Sequence, residues 1–123
     1  MSGDRIAARR TIASAVGAAG PARHERPEID EAALIAALAA DRLLAAALDG
    51  GSERWARYFA AIPDQLRDDA IRDLRATAMR ARAAYGPKDS VRDTLPEAVT
   101  EPLLDAVDRL LRALSRREVT TGL

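Results

Sequence analysis

Apolar residues recur every three or four positions along most of the chain, which is the period of an α-helix. The pattern is densest in residues 32–48, where every position except Asp41 and Arg42 is apolar. A surface helix needs only one apolar stripe, so a helix that is apolar on every side is expected in the middle of a bundle. We therefore predict an all-α fold, a compact bundle of about five helices around this central Ala/Leu-rich helix.

Proline and glycine stops, together with serine and aspartate caps, divide the chain into the predicted helices. We expect a single helical domain over residues 1–123, frayed at 1–3 and 116–123. A connector over residues 86–100 is predicted to contain a helical turn near Ser90. The predicted helices are residues 2–18 (or 4–18), 27–49 (or from an Asp30 cap), 52–62 with Ser52 as cap, 63–85, and 101–117, or 96–117 with a kink at Pro102.

Aromatic side chains are scarce, so the core must consist mainly of Leu, Ile and Ala. Trp55 and Phe59 are one turn apart and are predicted to anchor their short helix in the core. Three ion pairs are expected along single helices: Asp68–Arg72, Asp105–Arg109 and Asp108–Arg112. The last predicted helix has the cleanest apolar stripe, formed by Leu103, Leu104, Val107, Leu110, Leu111 and Leu114.

Several classes of function are disfavoured by the residues that the chain lacks. It has no cysteine, hence no disulfide, thiolate nucleophile or Cys-ligated metal, and no phosphate-binding glycine loop follows a strand. The only histidine, His24, has no second ligand at metal-binding spacing. We expect no catalytic residues, no metal and no cofactor. The central helix contains a charge pair and the first residues lack a hydrophobic signal core, so we expect a cytoplasmic protein without a membrane span.

Charge is distributed in alternating blocks although the net charge is zero. Residues 1–26 carry +3, residues 27–53 carry −5, residues 54–88 carry +4 and residues 89–123 carry −2. Such blocks on a neutral chain suit pairing with copies of the same chain, acidic face to basic face.

Arginines in the second half of the predicted 63–85 helix form the best candidate for an anion-binding surface. Arg75 and Arg82 are seven residues apart on one face, and no acid follows Asp73 within that helix to neutralise them. Arginine binds phosphate with fixed, forked geometry. An ordinary solvated face remains the alternative. The candidate nucleic-acid-binding residues are Arg54, Arg57, Arg72, Arg75, Arg80 and Arg82, with a secondary basic patch of Arg5, Arg9 and Arg10.

One stretch resembles a known family. Tyr58, Ile62-Pro63, Leu66 and Ala70-Ile71 lie on a helix, a proline turn and a second helix. This pattern is similar to that of small helical subunits of multisubunit (class 1) CRISPR effector complexes, which have Gly-Leu where this chain has Ala70-Ile71. The resemblance covers about 15 residues, and the helical content and small size agree with it.

The resemblance implies a non-enzymatic small subunit of a ribonucleoprotein. Several copies would stack along the complex, contact a larger backbone subunit, and hold guide RNA or a single-stranded target through arginine–phosphate contacts. The alternative is a helical adaptor or regulatory protein that binds another protein through its Ala/Leu helices and contacts no nucleic acid.

Overall fold

The computed structural model describes residues 21–122, with side chains for residues 21–116. Within this range all regular structure is helical and no strand is present, which confirms the all-α prediction. The predicted helix at 2–18 lies outside the described residues. The elements are α1 (Pro27–Asp49), α2 (Glu53–Phe59), α3 (Ile62–Asp68), α4 (Ile71–Ala83) and α5 (Glu97–Gly122), with 3-10 turns at Arg23–Glu25 and Val91–Asp93.

Helix α1 has the central position that its sequence predicts. Pro27 occupies the first helical turn, where its missing N–H costs nothing, and the alternative start at Asp30 is wrong. At the other end Gly51 adopts a φ of 71°, a conformation that favours glycine. The helix packs against α2, α3, α5 and the first 3-10 turn. Its buried side is formed by Ile29, Ala32, Ala33, Ala36, Ala37, Ala39, Ala40, Leu43 and Ala47.

The described residues do not cover α1 on every side, contrary to the expectation from its all-apolar sequence. Leu34, Ile35, Leu38 and Leu48 are exposed, with exposed fractions of 42%, 37%, 56% and 64%. They lie on the side opposite the alanines that face α5 and the short helices. The alanines allow close packing on the inner side, while the leucines on the outer side have no such neighbour among the described elements.

The predicted helix at 63–85 is two helices, α3 and α4, separated by extended backbone at Asp69 and Ala70, with ψ angles of 142° and 155°. The break is held by Arg23, whose Nη1 donates to the carbonyls of Leu66 (2.7 Å) and Asp69 (3.2 Å). In an unbroken helix those carbonyls would accept from the N–H groups four residues later. A long-range side chain thus replaces bonds that a continuous helix would make internally.

The C-terminal helix begins at Glu97, so the start near Pro96 is the correct alternative and Pro102 lies inside the helix. The helix continues to Gly122, past the predicted end at Arg117. The predicted turn near Ser90 is confirmed: the Ser90 hydroxyl accepts from the N–H of Arg92 at 3.1 Å. Within the predicted stripe, Leu103, Val107, Leu110 and Leu114 are buried, and Leu104 and Leu111 are half-buried.

The short helix α2 also matches its prediction in part. Trp55 and Phe59 are buried, as expected for core anchors. Ser52 occupies the N-cap position, as predicted, but its side chain makes no capping hydrogen bond. The helix ends at Phe59, before the predicted end at Ile62, which instead opens α3 with Pro63 in its first turn.

Candidate functional site

The acidic block at residues 27–53 is paired within the fold. Among the described residues, every acid of this block except Asp49 lies within 4.0 Å of an arginine nitrogen. The pairing gives each of these acids an arginine partner within its own chain. The pairs are Glu28–Arg116, Asp30–Arg23, Glu31–Arg109, Asp41–Arg67 and Glu53–Arg57.

The predicted arginines of α4 are also engaged within the fold. Arg82 Nε lies 2.7 Å from Asp108 Oδ1 on α5, so the expectation that no carboxylate neutralises Arg82 is wrong. Arg80 donates to the side-chain oxygen of Gln65. The predicted pair Asp108–Arg112 is replaced by this contact between helices, because α5 packs with Asp108 toward α4.

Arg72 and Arg75 are the other two candidate arginines on α4. Arg72 Nε is 3.7 Å from its neighbour Asp73, and the break before α4 puts Asp68 and Arg72 on different helices. Arg75 Nη2 is 3.5 Å from the Ser115 hydroxyl on α5. Arg75 and Arg82 do share one face, as predicted, and that face is turned toward α5.

Helix α2 carries the two remaining candidates, and both are solvent-exposed. The Arg54 guanidinium lies 4.5 Å from the centroid of the Trp55 ring, a cation–π contact. Arg57 Nη2 is 3.4 Å from Glu53, and their side chains are 79% and 87% exposed. A pair this exposed contributes little to stability, so Arg57 can exchange Glu53 for another anion at small cost.

The structure puts the six predicted arginines in different surroundings. Arg54 and Arg57 lie on the outside of α2, whereas Arg75 and Arg82 contact α5. The secondary patch of Arg5, Arg9 and Arg10 lies outside the described residues. Arg72 and Arg80 on α4 and Arg42 on α1 are exposed as well, so the accessible arginines are not limited to α2.

The residues that carry the family resemblance form the corner between α2, α3 and α4. Ile62, Pro63, Leu66 and Ile71 are buried in this corner. Tyr58 is 38% exposed and donates its hydroxyl to the carbonyl of Arg80 at 2.6 Å. Each of these positions thus has a packing role, whatever else the corner does.

The most conspicuous exposed feature is the outer side of α1, which we call the α1 face: Leu34, Ile35, Leu38 and Leu48. Monomeric proteins expose single leucines commonly, but a row of large apolar side chains along one helix typically marks a binding surface. Two oppositely charged residues, Glu31 and Arg42, are exposed on the same side of the helix. Sequence analysis missed this face because it assigned α1 to the interior.

A second feature that sequence analysis missed is the network around Arg23. Besides bonding the carbonyls at the α3–α4 break, Arg23 pairs with Asp30 at 2.7 Å, and its side chain is only 13% exposed. Thr77 on α4 donates to the buried carboxylate of Asp69 at 2.7 Å. The network joins the first turn, α1, α3 and α4. Its contacts span 46 residues, so no local pattern could have revealed it.

Tyr85, Arg92 and Glu101 form a polar cluster beside the start of α5. Arg92 donates to both carboxylate oxygens of Glu101, at 2.9 and 2.7 Å, and these hydrogen bonds lower the pKa of Glu101 and raise the pKa of Arg92. Tyr85 donates to the carbonyl of Thr100 at 2.6 Å, and burial raises its pKa. A tyrosine in this state stays neutral at physiological pH, so it acts here as a structural donor.

The described residues contain no cluster of candidate metal ligands. No group of three or more His, Asp or Glu residues in residues 21–116 is placed to hold a metal ion. His24 is exposed on the first 3-10 turn. A shallow depression of 410 Å³ lies along α5, with Asp108, Leu111, Arg112, Ser115 and Arg116 as its lining.

Comparison with known proteins adds no relative. No protein-family model, curated protein or solved structure matches the chain. Among the helices that the structure describes, none combines the length and apolar character needed to cross a membrane.

Proposed function

We propose that this chain is a non-enzymatic helical module that binds another protein through the α1 face. The observation that carries the proposal is the exposure of Leu34, Ile35 and Leu38 on consecutive turns of the central helix. Burying these side chains in a complex would be favourable by about 25 cal/mol for each Å² of apolar surface removed from water.

The partner that fits this face is an amphipathic helix. Leu34 and Leu38 are four residues apart, and Leu48 continues the row ten residues later, so the exposed side chains follow a helical ridge. Such a ridge is complementary to the apolar stripe of a second helix. The inner side of α1 is fixed by its buried alanines and Leu43, so the face is presented by a rigid element.

The proposal is tested by affinity copurification from the native host, followed by binding of the recovered partner in purified form. Leu38→Asp should abolish direct binding, because it puts a charge in the middle of the face. Met79→Asp is the matched control, because Met79 is a similarly exposed apolar residue, 52% exposed, on α4. A partner that binds wild type, Leu38→Asp and Met79→Asp equally would refute the assignment of the α1 face.

A second candidate is the small helical subunit of a class 1 CRISPR effector complex that residues 58–71 resemble. The observation that favours it is the accessible pair Arg54 and Arg57, beside the partly exposed ring of Tyr58. Arginine with an aromatic ring is a combination that holds single-stranded nucleic acid through phosphate contact and base stacking. In this role the α1 face would contact a larger backbone subunit or further copies in the cytoplasm.

The two candidates differ in nucleic-acid binding. The CRISPR role predicts salt-sensitive binding of single-stranded RNA or DNA that is lost in the double variant Arg54→Glu, Arg57→Glu. Arg109→Glu with Arg112→Glu serves as a control with the same charge change on α5. Copurification of RNA and a repeated large subunit would support this role, whereas recovery of one protein without nucleic acid would support the adaptor.

A further inference from the structure

We infer that two copies of this chain pair through the α1 face, with their α1 helices antiparallel about a two-fold axis level with Ala36 and Ala37. The inference rests on the proposed role of this face as a binding surface and names one occupant for it. It follows from the order of charged and apolar side chains along the exposed side of α1.

Glu31 and Arg42 flank the first three apolar residues of the α1 face, and Leu48 lies beyond Arg42. Glu31 and Arg42 are eleven residues apart, which is about three helical turns and about 16 Å along the axis, so they fall on the same side of the helix. Leu34, Ile35 and Leu38 lie between them and are all exposed. Between positions 31 and 42, the exposed side of α1 therefore carries first an acid, then apolar side chains, then a base.

This order is self-complementary only when two helices run in opposite directions. A two-fold axis at the midpoint, between positions 36 and 37, puts Glu31 of each copy opposite Arg42 of the other. The three apolar side chains of one copy then meet those of the second, between two ion pairs. A parallel arrangement would put Glu31 against Glu31 and Arg42 against Arg42, which like-charge repulsion disfavours.

The charged residues are available for this contact. Arg42 is exposed and forms no ion pair with any residue in the described part of the chain. Its neighbour Asp41 forms an ion pair with Arg67. Glu31 is 3.4 Å from Arg109, but their side chains are 66% and 51% exposed. A carboxylate has two oxygens and can accept from a second arginine without leaving the first.

The dimer is weak. Its interface, three apolar residues and one ion pair at each end, buries less than the ~800 Å² per partner of a standard interface. We therefore expect a monomer–dimer equilibrium that is dilution-sensitive in the micromolar range or above. A partner helix bound to the α1 face would displace the second copy.

The test is sedimentation equilibrium of the purified full chain over a range of concentrations, with no partner present. Glu31→Arg alone and Arg42→Glu alone should each raise the dimer Kd by about tenfold or more, since each puts like charges together at both ends. The double variant Glu31→Arg, Arg42→Glu should restore the wild-type Kd. Glu53→Arg, the same charge change on α2, should leave the Kd unchanged.

Three results would overturn the inference. The chain could be monomeric at every concentration, or it could form dimers that the two charge reversals do not weaken. It could also be a monomer in which Leu38→Cys, the only cysteine of that variant, is shielded from a thiol reagent. The last result would identify residues 1–20 of the same chain as the cover. A monomer in which Leu38→Cys reacts freely overturns the pairing of copies alone, whereas a shielded Leu38→Cys also removes the α1 face as a binding surface for another protein.

Discussion

Arg82 on α4 and Asp108 on α5 form an ion pair, with 2.7 Å between Nε and Oδ1. The pair joins two helices that are separated by the connector at residues 84–96. It also changes the interpretation of the arginine-rich half of α4. The Arg82 guanidinium already holds a partly buried carboxylate of its own fold, whereas the Arg57–Glu53 pair is almost fully exposed and exchanges more easily.

Reversing one charge of this pair should destabilise the fold modestly. With side chains that are 49% and 31% exposed, solvent screens the interaction, so Arg82→Glu should lower the free energy of unfolding by about 1 kcal/mol. The double variant Arg82→Glu, Asp108→Arg should recover most of the loss. Urea denaturation followed by circular dichroism measures both. A double variant as unstable as the single one would show that the pair is not the cause.

Removing Arg23 should have a larger effect. Arg23→Met leaves the carbonyls of Leu66 and Asp69 and the carboxylate of Asp30 without this donor in a partly buried site, and we expect a loss of about 3 kcal/mol. The matched control is Arg26→Met, because Arg26 is exposed and donates only to the carbonyl of its neighbour Glu25 among the described residues. The same urea titration applies, and equal losses in the two variants would contradict the role of Arg23.

Enlarging the alanine side of α1 should be costly at buried positions and tolerated at exposed ones. Ala36 is fully buried, so Ala36→Leu must displace neighbouring helices, at a cost of about 2 kcal/mol. Ala45 is exposed on the same helix, and Ala45→Leu should change the midpoint of thermal unfolding little. The measurement is the thermal unfolding midpoint of both variants. An Ala36→Leu variant as stable as wild type would show that the helices do not pack as closely as described.

Acid should weaken the contact between Arg92 and Glu101. Hydrogen bonds from Arg92 lower the folded-state pKa of Glu101 below its ordinary value of 4.5, so the unfolded chain takes up this proton at a higher pH than the folded one. The stabilisation is complete above pH 4.5 and is lost as the pH falls through the lower folded-state pKa.

The corresponding measurement compares urea unfolding of wild type and Glu101→Gln from neutral pH to below pH 4.5. The variant should lack this part of the acid-induced loss of stability. Glu97→Gln, an exposed glutamate on the same helix, should retain it. An identical pH dependence in wild type and Glu101→Gln would contradict the assignment.

Local signals predicted most of the helices. Pro27 and the Asp49-Gly50-Gly51 stop set the ends of α1 correctly, and the one-turn spacing of Trp55 and Phe59 identified two core residues. These features depend on backbone preferences and on periodicity within a few residues, and both can be derived from the local sequence. The stripe of α5 was predictable for the same reason.

Contacts between distant residues were not predictable in this way. The α3–α4 break depends on Arg23, and Asp108 and Arg109 take partners on other helices rather than the predicted partners four residues away. The sequence shows which residues carry charge, but only the packing of the helices decides which charges meet. The candidate arginine track was predicted without that information, and the α1 face was missed because the all-apolar pattern does not say how many neighbours a helix has.

The bond from Arg23 to the carbonyl of Asp69 ties the first described turn to the middle of the chain. It closes a loop of 46 residues, and the entropy lost on closing a loop grows with its length. The bend at Asp69 and Ala70 and the docking of the first 3-10 turn therefore depend on the same side chain, so loosening one should loosen the other.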